Sequence, residues 1–210
     1  IMKRALIITT HVEHLNYVDL DYDAFSMIIC ADGGLLVAQK LGLRPTHLIG
    51  DYDSMELPNL PGGTKLPMEK DMTDTEAAVD MAVNLEIADI TVLGGLGGRF
   101  DHTMGNLGVM AKYCGKLRHL AFIDGQNYVF MMHPGTIKIP KNPYKYLGVI
   151  SYGDSAEHVT LRGVKYPLED YVLTHETSLG VSNEIIEDAA TISFIRGKLL
   201  IVLSKDIDKF

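Results

Sequence analysis

The sequence predicts an α/β protein, in which an N-terminal, Rossmann-like parallel sheet is followed by a C-terminal antiparallel β-sandwich. Up to about residue 125, short apolar runs alternate with segments of helical period, the rhythm of a parallel α/β sheet. Past that point the runs become short, β-rich and split by Gly, Pro or Asn, as in sandwiches. The N-terminal runs also empty into turns rich in aspartate and glycine. Two domains are therefore expected, residues 1–125 and 126–210.

Taken in order, Arg4 to Thr10 reads as a buried strand, apolar in succession and closed by β-branched threonines. The polar stretch up to Phe25 has no clear period. Ser26 to Ala31 is a second strand, ending at Asp32-Gly33-Gly34, and a helix from Leu35 to Leu41 has Gly42 as its stop. Thr46 to Ile49 and Lys65 to Met68 are short strands around a Pro/Gly-rich loop. Thr73 and Glu76 are spaced as a capping box. The helix they open carries Ala78, Met81, Ala82 and Leu85 as one apolar stripe. Asp89 to Leu93 is a strand running into Gly94-Gly95-Leu96-Gly97-Gly98. A helix from about Thr103 to Tyr113 and a strand from Leu117 to Ile123 follow. In the C-terminal part, Gly197-Lys198 stands where a two-residue hairpin turn belongs.

With 210 residues, 47% of them hydrophobic and 22% charged, the chain has the composition of an ordinary globular protein. A net charge of -8 argues against a nucleic-acid partner. No apolar run is long enough to span a membrane, and no signal-peptide pattern is present, so the cytoplasm is expected and a membrane partner is not. Cys30 and Cys114 sit in apolar segments as small core residues, and scattered histidines speak against zinc.

The acidic turns carry the chemistry. Asp51 and Asp53, two apart after a strand, can converge on one hard cation, although a solvated acidic turn uses the same residues. Asp71 and Asp74 bracket a helix start, where acids also suit the helix dipole. Lys70 can reach a phosphate as a point charge or stand as a surface lysine. Asp32-Gly33-Gly34 suits a ribose-binding carboxylate or a plain strand-to-helix turn. The glycine turn offers free backbone amides, a helix N-terminus and the fork of Arg99, all suited to phosphate oxygens. Asp101 can cap that helix. No GK[ST] follows, and Phe100 fills the last glycine's place, so neither a Walker A loop nor a dinucleotide fingerprint is present. All these turns end predicted parallel strands, the edge at which open α/β sheets bind ligands.

In order, Ala31-Asp32-Gly33-Gly34, Gly50-Asp51-Tyr52-Asp53-Ser54, Lys70-Asp71-Met72-Thr73-Asp74 and Gly98-Arg99-Phe100-Asp101-His102 with Asn106 resemble thiamine pyrophosphokinase. Ser178 to Glu184 is similar to that family's C-terminal motif. The resemblance implies a homodimer whose N-terminal domain binds ATP and whose C-terminal sandwich binds thiamine. It implies transfer of a pyrophosphoryl group from ATP to thiamine, giving thiamine diphosphate and AMP. On that resemblance Asp32, Asp51, Asp53 and Asp74 hold Mg²⁺. Asp32, Gly33, Gly34, Lys70, Asp71, Thr73, Arg99, Asp101 and His102 bind the nucleotide, with Asp51, Asp53, Asp74, Arg99 and Asp101 as the catalytic set. Ser182 and Asn183 hold thiamine. Tyr166 and Tyr171 are candidates to line the cationic thiazolium, since the chain has no tryptophan, and each is equally a candidate core tyrosine.

No general base is identifiable from the sequence, because a carboxylate bound to Mg²⁺ has a depressed pKa and is a poor base. Two alternatives stay open. One is a diphosphokinase of another hydroxyalkyl heterocycle such as a pterin, and the other is a non-catalytic nucleotide or thiamine sensor.

Overall fold

A computed structural model describes residues 3–50, 65–66 and 71–207 of the chain. Its contacts fall into two compact units, Ile1–Gly125 and Gln126–Phe210.

The first unit is built in chain order from β1 (Ala5–Ile8), β2 (Met27–Ala31), α1 (Gly34–Lys40), β3 (His47–Ile49), β4 (Lys65–Leu66), α2 (Asp74–Asn84), β5 (Asp89–Leu93), α3 (Phe100–Tyr113) and β6 (His119–Ile123). Its strands lie parallel in the order β4-β3-β2-β1-β5-β6. Unbroken apolar runs such as Ala5–Ile8 are buried at every position, as parallel strands covered on both faces must be. Helices α1 and α2 pack on β1 and β2, and α3 packs on β6 and α2.

The helix ends follow local chemistry. Gly42, at φ +69°, closes α1 as expected: its amide and that of Leu43 donate to Gln39 and Ala38 carbonyls. In α2 the Thr73 side chain accepts from the Glu76 amide at 3.2 Å, but the Glu76 carboxylate pairs with Lys112, so half of the capping box forms. Of the expected stripe, Ala78, Met81 and Ala82 are buried, whereas Leu85 lies past the last helical residue and is exposed. Helix α3 starts at Phe100, three residues earlier than the sequence suggests, so its N-cap is Arg99 and not Asp101.

The second unit contains β7 (Asn127–Met132), β8 (Gly135–Pro140), β9 (Tyr146–Ser151), β10 (Ala156–Arg162), β11 (Leu168–Leu173), β12 (Ala189–Phe194) and β13 (Leu199–Ser204). Strand β13 lies between β7 and β9, antiparallel to both, and the other sheet runs β11-β10-β12-β8. Leu147, Val149, Leu199 and Ile201 of the first set meet Val159, Leu161, Ile192 and Phe194 of the second in one core, which makes a sandwich. The expected hairpin at Gly197-Lys198 does not form. Strand β12 pairs with β8 and β10, and its tail continues against Glu157, whose amide donates to the Arg196 carbonyl at 3.0 Å. The chain therefore changes sheets at Gly197. Local turn chemistry matched a hairpin, while the partners of β12 and β13 are set by distant strands.

Candidate active site

Strand β1 is central. The chain leaves it outward through β2, β3 and β4, then returns to its other side for β5 and β6. That reversal opens a crevice beyond the carboxyl ends of β1 and β5, where doubly wound sheets bind ligands. A cleft of about 450 Å³ lies there, lined by Thr10, His11, Asp32, Asp74, Arg99 and Asn106 among other residues.

Its acidic side comes from β2 and α2. Asp32 follows β2 at φ +49°, with its amide donating to the Ile49 carbonyl at 2.7 Å. The Thr10 hydroxyl donates to Asp32 Oδ2 at 3.2 Å and accepts from the Gly33 amide at 3.1 Å. Asp74 is the first residue of α2. A Cβ on Gly50 would stand 3.1 Å from Asp32 Cα and 3.5 Å from Asp74 Oδ2, so both acids flank that glycine. Burial, and then the charge of Asp32, push the Asp74 carboxyl above the ordinary carboxylate range. Its Oδ1 is buried and has no hydrogen-bond partner among the described residues.

The opposite side is the glycine turn after β5. Gly94 and Gly95 have φ of +98° and +76°. A Cβ on Gly94 would lie 2.2 Å from Thr9 Oγ1, and one on Gly95 would lie 2.7 Å from Asn106 Nδ2. Neither glycine can be replaced without moving its neighbour. Asn106, 4% exposed, donates to the Gly95 carbonyl at 2.8 Å and so ties the turn to α3. Beyond the turn, Arg99 and Asp101 are exposed and form a two-point pair, at 3.2 Å through Nε and 2.6 Å through a terminal nitrogen. Hydrogen bonding to Arg99 holds the Asp101 carboxyl below its ordinary range.

The third wall is the segment after β1, which carries no motif. The Thr9 hydroxyl lies within reach of the His11 and Leu93 carbonyls. His11 Nε2 meets Glu13 Oε1 at 2.8 Å. Thr9, Thr10, His11 and Glu13 were not singled out by sequence reasoning. The only signal was indirect: β1 becomes central once its pairing is known, and its end then borders the crevice.

In the second unit, Ser182 is exposed at φ +60°, and Asn183 is 4% exposed. The Asn183 Oδ1 accepts from the Tyr166 and Glu184 amides at 3.0 and 2.9 Å, and Nδ2 donates to the Tyr166 carbonyl at 2.8 Å. Three of the four hydrogen-bonding positions of its side-chain amide are thus taken by the backbone. Tyr166 and Tyr171 are 59% and 41% exposed, so neither is a core tyrosine.

Of the predicted residues, Asp32, Thr73, Asp74, Arg99 and His102 line the cleft. Asp101 reaches it through Arg99, and Asp71 is exposed at the turn before α2. Gly33 and Gly34 serve packing: a Cβ on Gly34 would lie 2.0 Å from the Ile8 carbonyl oxygen, and the Gly33 amide is taken by Thr10. Asp51, Asp53 and Lys70 lie outside the described residues. Among the described residues no group of three potential ligands forms a metal site, and no helix is long and apolar enough to cross a membrane.

Residues 20–121 match the family model of the thiamin pyrophosphokinase catalytic domain, and residues 135–199 match that of the thiamin pyrophosphokinase vitamin B1 binding domain. Thiamine pyrophosphokinase of Bacillus subtilis is 32% identical over 192 residues, covering 88% of this chain and 90% of that protein. Its crystal structure superposes with a TM-score of 0.84 at 28% identity, over 98% of this chain and all of that one. A thiamin pyrophosphokinase family protein from Enterococcus faecalis gives a TM-score of 0.87 at 29% identity, with the same coverage.

Proposed function

We propose how a chain that belongs to the thiamin pyrophosphokinase family divides the family's reaction among its residues. The protein transfers a pyrophosphoryl group from ATP to thiamine, giving thiamine diphosphate and AMP. In our reading residues 1–125 bind ATP and residues 126–210 bind thiamine, in a cytoplasmic homodimer.

The observation that carries the assignment is the buried Oδ1 of Asp74, unpartnered among the described residues, beside a second carboxylate and across the cleft from a glycine turn. A buried acid whose ionisation is opposed by burial and by a neighbouring carboxylate's charge fits a hard divalent cation with oxygen ligands. Asp32 and Asp74 would hold Mg²⁺, together with Asp51 and Asp53. The chemistry supplied by bound Mg²⁺ would be positive charge that neutralises phosphate oxygens. The chain's own residues do the rest. Arg99 presents its fork to the phosphates while Asp101 holds it in place. Asn106 and Thr9 keep the turn rigid, and the Gly94 and Gly95 amides donate to the Ile123 and His11 carbonyls, so the turn serves to position Arg99. His102 and Thr73 border the nucleotide. Ser182 offers its hydroxyl to thiamine, and Asn183 acts by fixing the backbone on either side of it.

Incubation with ATP, Mg²⁺ and thiamine should release AMP and thiamine diphosphate in equal amounts. ADP as the product, or turnover indifferent to thiamine, would sink the reading. Asp74 also gives a test without turnover. Its folded-state pKa is raised, so metal-free protein should lose stability as pH climbs from the ordinary carboxyl value through the raised one. Added Mg²⁺, or Asp74→Asn, should abolish that loss in thermal melts. A loss that survives both would remove Asp74 from the metal shell.

A further inference from the structure

The reaction needs a group to take the proton of thiamine's hydroxyl, and none of the four acids read as the metal shell suits that task, because a carboxylate bound to Mg²⁺ is a poor base. We propose that His11 is that group, a catalytic residue held in register by Glu13. This rests on the functional reading above.

His11 lines the cleft beside the glycine turn. Its ring lies against Gly98, where a Cβ would come within 3.3 Å of Cδ2, and Glu13 lies against Gly97, where a Cβ would be 2.4 Å from Cγ. The two late glycines of the turn are therefore the space into which this pair fits. Glu13 is fixed from behind as well: its carbonyl accepts from the Gly125 amide at 2.9 Å.

The hydrogen bond from His11 is the largest influence and holds the Glu13 carboxyl below its usual range; burial comes next and opposes it, and the nearby histidines and the Gly98 amide add to the lowering. An ionised carboxylate only accepts, so the hydrogen on the 2.8 Å contact belongs to His11 Nε2. In the neutral ring this leaves the lone pair on Nδ1. A carboxylate that fixes the tautomer of an imidazole in a cleft is the arrangement of a general base. Among the described residues the other titratable groups of the cleft are Asp32 and Asp74, Arg99, which has no lone pair to offer, and His102, whose ring is hydrogen-bonded to no carboxylate.

The step balances as follows. The thiamine hydroxyl oxygen bonds to the β-phosphorus of ATP while its proton passes to His11 Nδ1. The bond from the β-phosphorus to the α,β-bridging oxygen breaks, and AMP leaves with that electron pair. His11 afterwards returns its proton to solvent.

The test compares full-length wild type, His11→Gln, His11→Gly and Glu13→Gln for AMP release in the presence of Mg²⁺, with thermal melts confirming that each variant folds. His11→Gln should lower kcat by about 100-fold and leave the KM for ATP within about twofold, and Glu13→Gln should lower kcat by about tenfold. Added imidazole should restore part of the His11→Gly turnover. Near-normal kcat in folded His11→Gln would overturn the proposal. So would a raised KM for ATP at unchanged kcat, which would make His11 a nucleotide contact, or a His11→Gly defect that imidazole leaves untouched. Wild type that yields no AMP would overturn the functional reading itself, whereas active wild type beside an active His11→Gln removes only His11.

Discussion

The glycine turn at 94–101 and the loop at 178–184 are both motif segments, yet the fold uses them in opposite ways. In the first, the glycines are consumed by packing against Thr9 and Asn106, and the charged side chains beyond them stay outside, with Arg99 75% and Asp101 63% exposed. In the second, the amide of Asn183 is consumed by three backbone hydrogen bonds, and the hydroxyl residue beside it stays outside. A residue type fixes what a side chain can bind. Whether the fold leaves it free to do so is a separate matter, and here it divides the residues that act on ligands from those that hold the backbone.

The sharpest way to break this contrast is Arg99→Ala. Among the described residues Arg99 hydrogen-bonds only to another exposed residue, so its removal should leave the melting temperature unchanged. If the fork meets the phosphates, turnover should fall by about 1000-fold. Arg99→Lys should recover little, because a point charge does not replace a planar fork. A large loss of stability in Arg99→Ala would make the turn's side chains structural after all.

Asn183→Ala should show the reverse pattern. It strips partners from two backbone amides and a carbonyl near the core, and should cost about 2–4 kcal/mol in urea unfolding of the second unit. The KM for ATP should not change. A variant that unfolds like wild type but binds thiamine poorly would restore Asn183 as a direct ligand.

The same contrast explains what the sequence could reveal. The parallel sheet was legible because runs such as Ala5–Ile8 and Val92–Leu93 are apolar on both faces, a pattern with few other uses. The glycine turn was legible because four glycines in five positions have little other reason to gather. The segment at 9–14 was not: His11 and Glu13 belong to a polar stretch without period, and only the pairing of β1 with β2 and β5 brings them to the crevice. The crossover at Gly197 was hidden for a related reason, since a hairpin and a change of sheet share the same turn residues. Asn183 looked like a ligand because its amide suits one. Two of the three bonds of its side-chain amide go to the backbone of Tyr166, 17 residues away, and leave no local trace.

The smallest effect separates hydroxyl from backbone at Ser182. That residue is held at φ +60°, a conformation glycine adopts without strain and other residues do not. Ser182→Gly should therefore stabilise the second unit by about 0.5–1 kcal/mol, while Ser182→Ala keeps the strain and leaves stability unchanged. If the hydroxyl contacts thiamine, both variants should raise the KM for thiamine to a similar degree, about fivefold for one neutral hydrogen bond of roughly 1 kcal/mol. Equal KM shifts with unequal stabilities would show that the exposed member of the pair serves the ligand while its conformation is imposed by the loop. A KM shift in Ser182→Gly alone would instead mean that the left-handed backbone orders the site and that the hydroxyl touches nothing.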